Sequence, residues 1–494
     1  MANPNLYRAK IIKRLLTLLL IPLVLTLGVI RPGTAATAKH YTELKFPPLA
    51  EVQIPDYQRF QLDNGLTVYL MEDHELPLVS GQMLIRTGQR FDPEAKVGLA
   101  DIMGEVMRTG GTQRYSSDQL NQELEQRAAA VEVSVNTADG NASFSALSED
   151  VEAVFSLFAD VLREPRFAQE QLDLAKTQRQ GAIARRNDDP GDIGSREFRK
   201  LVYGPTSPYA RTQEYSTLDN ISRADVLQVY QHSIHPNRMI LGLVGDFDPK
   251  AMTALIQAKF GNWPAGPADR DPVPTASQTQ AGGLFLVNQP QLTQSTVQIG
   301  HIGGQLDSPD VFALLVMNEV LNGFGGRLFD EVRSRQGLAY SVYAVWRAQY
   351  DYPGLFFAGG QTRSETTVPF IKAVHNELQS IRTTPISAQE LAEAQDSILN
   401  SFVFNFQDPA QILTRLLRYD YYGYPEDYLF RYQRAVKTMD PDQVQAAARQ
   451  SLRPDQLITL VVGDSASIQP PLESLQTPVT AVDITIPVPG SKSS

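Results

Sequence analysis

The sequence predicts an α+β protein made of two duplicated domains, each an antiparallel-rich sheet packed with helices. Three observations carry this. Stretches of period-two alternation are interleaved with amphipathic helical stretches along the chain. The pair Gly245-Asp246 recurs at Gly463-Asp464, 218 residues on, and Gly88 and Gly303 stand 215 apart. Two landmarks with nearly the same offset point to a repeated unit of about 220 residues. Finally, "NWPAGPADRDPVPTASQTQAGG", residues 262–283, is rich in Pro, Ala and Gly and reads as the linker between the halves. A length of 494 residues suits such a division.

The chain opens on a processing signal. Arg8, Lys10, Lys13 and Arg14 precede an apolar run of 16 residues, Leu15 to Ile30, and Ala36 and Ala38 form a small-x-small site. This reads as a signal peptide over residues 1–38, and an uncleaved anchor is the alternative. Pro22 interrupts the run, which is shorter than the roughly 20 residues of a membrane span. Removing it takes the net charge from −11 to −16. A soluble, acidic protein of the periplasm, or otherwise extracytoplasmic, is expected, with no stable membrane span after processing. The acidic balance argues against nucleic acid. The sequence has no cysteine, which excludes thiolate catalysis, cysteine-ligated metals and disulfides.

In the first half, Asn64-Gly65 between apolar runs signals a hairpin. "VSGQMLIRTG" is a third strand, and a helix begins near Gly98. Ser116 or Ser117 caps a helix that runs into the strand "VEVSVN", followed by the strand "NASFSALS". "EDVEAVFSLFADVLREP", "QEQLDLAKTQRQGAIARRN" and "SRADVLQVYQHSI" are helices, and "RMILGLVGDFDP" closes the half as a strand. Asp188-Asp189 before Pro190 reads as a helix-end turn. In the second half, "STVQIGHIGGQLDSPD" and "QLITLVVGDSAS" resemble the strands around Gly88 and Gly245.

Few residues offer catalytic chemistry. The histidines are His40, His74, His232, His235, His301 and His375, and no two stand at i and i+4. A zinc-ligating helix is therefore missing. His232 and His235 read as helix-end histidines. Asp92, Asp101 and Glu105 form an acidic patch of a kind that suits calcium or magnesium rather than hydrolytic zinc, with solvated carboxylates as the default. There is no G-x-S-x-G elbow. The most unusual stretch is "LNGFGGRLFDEVRSRQGLAYSVYAVW", residues 321–346. Its glycines give a close-approach loop, a short helix carries Arg327, Arg333 and Arg335, and a strand starts near Ala339. It lacks the ending of a phosphate-binding loop. Either it is a packing turn with surface arginines, or Arg333 and Tyr340 face one cavity, where they would hold a carbonyl or an oxyanion.

Several of these stretches resemble the pitrilysin or insulinase-like (M16) zinc peptidases, which carry H-x-x-E-H. "NGLTVYLMEDHELPLV" resembles their first hairpin, "GLADIMGEVMRTGGTQRYSS" their metal helix, and "RRNDDP" the segment behind their third ligand. "NGFGGRLFDEVRSRQGLAYSVYA" resembles the second-domain signature, and "YYGYPEDYLFRY" and "LVVGD" also fit. The likeness covers about residues 55–470. It implies an M16-type fold of the kind seen in mitochondrial processing peptidase, with residues 39–262 as the N-terminal-type domain, 263–283 as linker, 284–470 as the C-terminal-type domain and 471–494 as a flexible tail.

Carried over position by position, the zinc site is degenerate. Asp101 stands for the first histidine, Gly104 for the general-base glutamate and Glu105 for the second histidine. The third-ligand position, 77 residues beyond Glu105, falls on Ala182. No metal is expected in this chain. The resemblance makes Arg333 and Tyr340 substrate- and transition-state-contacting residues, and Gly323, Phe324, Gly325 and Gly326 a substrate-binding loop. The function it implies is a non-catalytic subunit of a heterodimeric peptidase, inactive alone, whose zinc-bearing M16 partner cleaves peptide. A peptide-binding or scaffold homodimer is the alternative.

Overall fold

The computed structural model describes residues 53–267, 271–323 and 325–487. The expected signal peptide and Phe324 lie outside the described residues. Asn64-Gly65 joins β1 (Gln58–Gln61) to β2 (Thr67–Glu72) as an antiparallel pair. Gly65 has φ +89°, and a Cβ there would stand 2.8 Å from Asn237 Cβ, so the turn requires glycine. Next come β3 (Leu78–Ile85), α1 (Leu99–Thr109) and α2 (Ser117–Glu125). Ser116 caps α2 in a reciprocal box with Gln119. β4 (Ala130–Val135), β5 (Gly140–Leu147), α3 (Val151–Arg163) and α4 (Gln169–Ala184) follow. Then come α5 (Pro190–Tyr203), α6 (Tyr215–Asp219), α7 (Arg223–Ser233), β6 (Met239–Gly245) and α8 (Pro249–Phe260).

The second half repeats the plan with β7 (Gly283–Asn288), β8 (Gln294–Ile302), α9 (Val311–Asn322), a π-helical turn at Phe329–Arg335, β9 (Ala339–Arg347) and β10 (Leu355–Arg363). It continues through α10 (Thr367–Thr383), α11 (Ala388–Ser401), α12 (Pro409–Tyr422), α13 (Tyr428–Thr438) and α14 (Pro441–Ser451). β11 (Ile458–Gly463) and β12 (Val479–Ala481) close it. The sheets run β1-β2-β6-β3-β5-β4 and β12-β7-β11-β8-β10-β9. Five strands correspond one for one. The sixth does not: β1 pairs antiparallel to β2, whereas β12 pairs parallel to β7. The parallel β2/β6 and β7/β11 pairs bring the two Gly-Asp ends to equivalent places.

Each sheet packs one face on its own helices and the other on a helix from the opposite half. Ile193, Phe198, Val202 and Tyr203 of α5 bury against Phe285, Val287, Ile458, Leu460 and Val462 of the second sheet. Ile412, Leu413, Leu416 and Leu417 of α12 bury against Tyr69, Met71, Leu84, Ile240 and Val244 of the first. β6 and β11 are therefore covered on both faces, which explains their unbroken apolar sequences. Each large side chain buried this way contributes roughly 1.5–3 kcal/mol, so the exchange binds the halves firmly. Arg90, 5% exposed, reinforces it with a bidentate pair to Asp351 at 2.8 and 2.9 Å.

Two local expectations are corrected. Asp188-Asp189 is not simply a helix end. α4 has already stopped at Ala184, and Asp189 caps α5 by accepting from Gly191 N and Asp192 N, with Pro190 in the first turn. The segment expected as a flexible tail from residue 471 carries a 3₁₀ turn, Leu472–Leu475, and then β12. Beyond β12, Val482 N donates to Leu286 O at 2.8 Å, and Asn187 Nδ2 donates to Ile484 O at 2.7 Å. Alternation of Val482, Ile484 and Ile486 as half-buried residues gives this stretch an apolar side to lay down.

Candidate functional site

The degenerate metal helix is α1. Asp92 caps its start, its carboxylate accepting from Gly98 N and Ala100 N at 2.9 Å each. Burial outweighs these bonds and pushes Asp92 up to about 6. Asp101 and Glu105 lie one turn apart on the side facing α4. Gly104 is buried against the edge strand β4, where a Cβ would stand 2.9 Å from Val135 Cγ2 and 3.1 Å from Val135 N. A side chain at position 104, where the resemblance expects a general base, would require Val135 and the adjoining β4 backbone to give way.

Between the two carboxylates lies Arg179, reaching in from α4. Its Nε and Nη2 donate to Asp101 Oδ2 at 3.0 and 2.8 Å, and its Nη1 donates to Glu105 Oε2 at 2.5 Å. Gln213 Nε2 adds a fourth bond, 3.0 Å to Asp101 Oδ2. Burial by itself would lower the Arg179 pKa, but the two carboxylates outweigh it and hold the guanidinium above its ordinary value. Ala182, one turn further along α4, is exposed and offers no ligand atom. The donor set is two oxygens already engaged by an arginine, without histidine, and it does not fit zinc. Among the described residues no group of three or more His, Asp or Glu is placed to hold a metal ion.

Sequence reasoning missed Arg179. The signal was present: two acids standing for two histidines leave a net negative pair facing α4, which calls for a cation. Arg179 is three residues, about one turn, before the empty third-ligand position. Two of the described histidines have ordinary partners. His232 Nε2 pairs with Asp271 Oδ2 at 2.9 Å, and His235 Nε2 bonds Gln231 O at 2.7 Å.

In the second half, Gly323, Gly325 and Gly326 form the loop after α9. Gly325 takes φ +87° and Gly326 N donates to Gly323 O at 2.6 Å. Arg327 leaves this loop to pair with Glu390. Arg333 projects from the π-helical turn, an uncommon conformation concentrated at functional sites. Its guanidinium carbon lies 4.8 Å from the Phe329 ring centroid and 4.7 Å from that of Tyr340. Tyr340, at the start of β9, is 83% exposed. The two residues do meet, but as a stacked pair on the surface. Stacking limits the arginine's rotamers, and an arginine fork beside an exposed phenol is a pair of donors suited to peptide carbonyls or a carboxylate. β4, against which Gly104 packs, and β9, which carries Tyr340, are the edge strands at corresponding ends of the two sheets.

Fold and site together define a two-domain peptidase-like protein in which an arginine bridges the two acids expected at the metal-ligand positions. Comparison with known proteins names the family. Residues 67–197 match the insulinase (peptidase family M16) model, and residues 220–398 match the peptidase M16 inactive domain. The chain belongs to the M16 family. It is similar to the non-peptidase homolog YmxG of Helicobacter pylori, at 23% identity over 72% of this chain and 82% of that protein. Its fold matches the peptidase M16 inactive domain from Pseudomonas fluorescens, with TM-score 0.75 and 24% identity over 84% of this chain and 100% of the other. The periplasmic protease PqqL of Escherichia coli matches with TM-score 0.70 and 16% identity, over 86% of this chain and 48% of that one.

Proposed function

We propose that this chain is the non-catalytic subunit of a heterodimeric zinc peptidase. It is inactive alone and contributes Arg333 and Tyr340 to peptide bound by a zinc-bearing M16 partner. The observation that carries this reading is the contrast between the sites. Arg179 pairs with Asp101 and Glu105, the residues that the resemblance sets at two metal-ligand positions, while Arg333 stacks on an exposed Tyr340. When present in the partner, zinc supplies the activated water. In this chain, Arg333 orients the peptide and the Tyr340 hydroxyl donates to the scissile carbonyl as charge develops on its oxygen. The loop of Gly323, Phe324, Gly325 and Gly326 lets the substrate backbone approach closely. An extracytoplasmic location is part of the proposal. The leader composition supports it, as does likeness to a protease described as periplasmic. No described helix is long and apolar enough to cross a membrane.

The test mixes the chain from residue 39 with the zinc-bearing homologue of the same cell and follows a quenched peptide library. Cleavage by the mixture alone is expected. Tyr340→Phe and Arg333→Ala should each slow it by about 10²–10³ with complex formation intact. A homologue fully active alone, with no complex formed, refutes the trans role. A stable homodimer that ignores the homologue favours a peptide-binding scaffold instead.

A further inference from the structure

The halves differ at one place in a way that points to a second binding site. In the first half, β6 is followed by α8, 12 residues long, which covers one end of the core. Phe260 of α8 is fully buried, with its ring centroid 5.6 Å from that of Phe155 on α3. Asn64 fixes the arrangement by donating to Phe260 O at 2.7 Å and Trp263 O at 2.9 Å. In the second half, the described residues after β11 hold a four-residue turn, Leu472–Leu475, and the short β12, with no α-helix. Where α8 would lie there is instead a cavity of about 570 Å³, within the range of small-molecule sites.

If this cavity were only the scar of a lost helix, its walls should be apolar, like the core that α8 covers. They are not. α3 and α10 each follow a three-residue 3₁₀ turn, Ser148–Asp150 and Ser364–Thr366, so their positions correspond. Lys372 stands for Ser156, His375 for Ala159 and Asn376 for Asp160. On the strand, Thr459 takes the place of Leu241, which is fully buried in the first half. All four second-half residues line the cavity. His375 Nε2 lies 3.3 Å from Thr459 Oγ1, and burial keeps this imidazole below its ordinary pKa and therefore neutral. Asp455 also lines the cavity, and among the described residues no ion pair joins it to Lys372.

We propose that this cavity binds a small zwitterion, a free amino acid or a di- or tripeptide. Its carboxylate meets Lys372 and the amide of Asn376, its ammonium meets Asp455, and its body lies over Ile371 and the His375–Thr459 pair. Opposite charges in one cavity lining select a ligand that carries both, and the apolar Leu284, Ile371 and Leu457 beside them favour an organic ligand over an inorganic ion. The site is separate from the Arg333–Tyr340 pair.

Calorimetric titration of the chain from residue 39 tests this, with alanine, tri-alanine, tri-alanine amide and N-acetyl-tri-alanine as probes. At least one of the two free zwitterions should bind. Capping either terminus of tri-alanine should weaken it at least tenfold relative to the free peptide. Lys372→Met should abolish the preference for the free carboxylate, and Asp455→Asn the preference for the free amine. Thr459→Leu, which restores the first-half residue, should weaken binding without lowering the thermal midpoint. Arg333→Ala should bind as the wild type does. Failure of both zwitterions to bind, binding indifferent to capping, or loss of binding in Arg333→Ala overturns the proposal.

Discussion

Arg179→Met is the perturbation that bears most directly on the Asp101–Arg179–Glu105 cluster. Methionine keeps most of the aliphatic stem and removes the charge, leaving Asp101 and Glu105 facing each other one turn apart. The side chains of Arg179, Asp101 and Glu105 are 14%, 29% and 31% exposed. Exposed pairs are worth about 0–1 kcal/mol, and breaking a buried pair costs about 3–5 kcal/mol. Partial exposure places this cluster between the two, so a loss of about 2 kcal/mol is expected. Native-state hydrogen exchange at amides of α1 and α4 reads it locally, without requiring the whole chain to unfold in one step. Adding Asp101→Asn and Glu105→Gln to Arg179→Met should recover most of the loss, because no uncompensated charge then remains. An unchanged exchange pattern in Arg179→Met would refute the assignment of Arg179 as the charge that replaces the metal. So would a triple variant no better than the single.

The same reasoning applies elsewhere. Asp351→Ala leaves the buried Arg90 without its bidentate partner, and about 3 kcal/mol of stability should be lost. A urea midpoint within error of wild type would show that the pair does not hold the halves. His301 is fully buried, donates from Nδ1 to Ile302 O and accepts at Nε2 from Arg453 N. Burial takes its pKa down from 6.5 to about 4. A depressed folded pKa gives stability that is fully present above 6.5 and is lost as pH falls through about 4. That amounts to about 3 kcal/mol. A ring-proton NMR titration with a midpoint near that of a free histidine would contradict the burial argument.

Several elements could be read from single stretches of chain. Ser116 with Gln119, Asn64-Gly65 and the alternation in β4 each involve neighbours, and their periods of 2 and 3.6 show in any short window. The repeat was legible because Gly-Asp follows the central strand in both halves. Other features depend on partners far apart in the chain. Arg179 meets Asp101 across 78 positions, and Arg90 meets Asp351 across 261. No local pattern marks which cation will approach which acid, because helix packing decides that. α5 and α12 are ordinary amphipathic helices in sequence, and nothing within them says that each covers the other half's sheet. Likewise nothing in the stretch after residue 471 says which sheet edge it will join. It becomes a strand only because β7 offers a free edge whose N–H and C=O groups need partners.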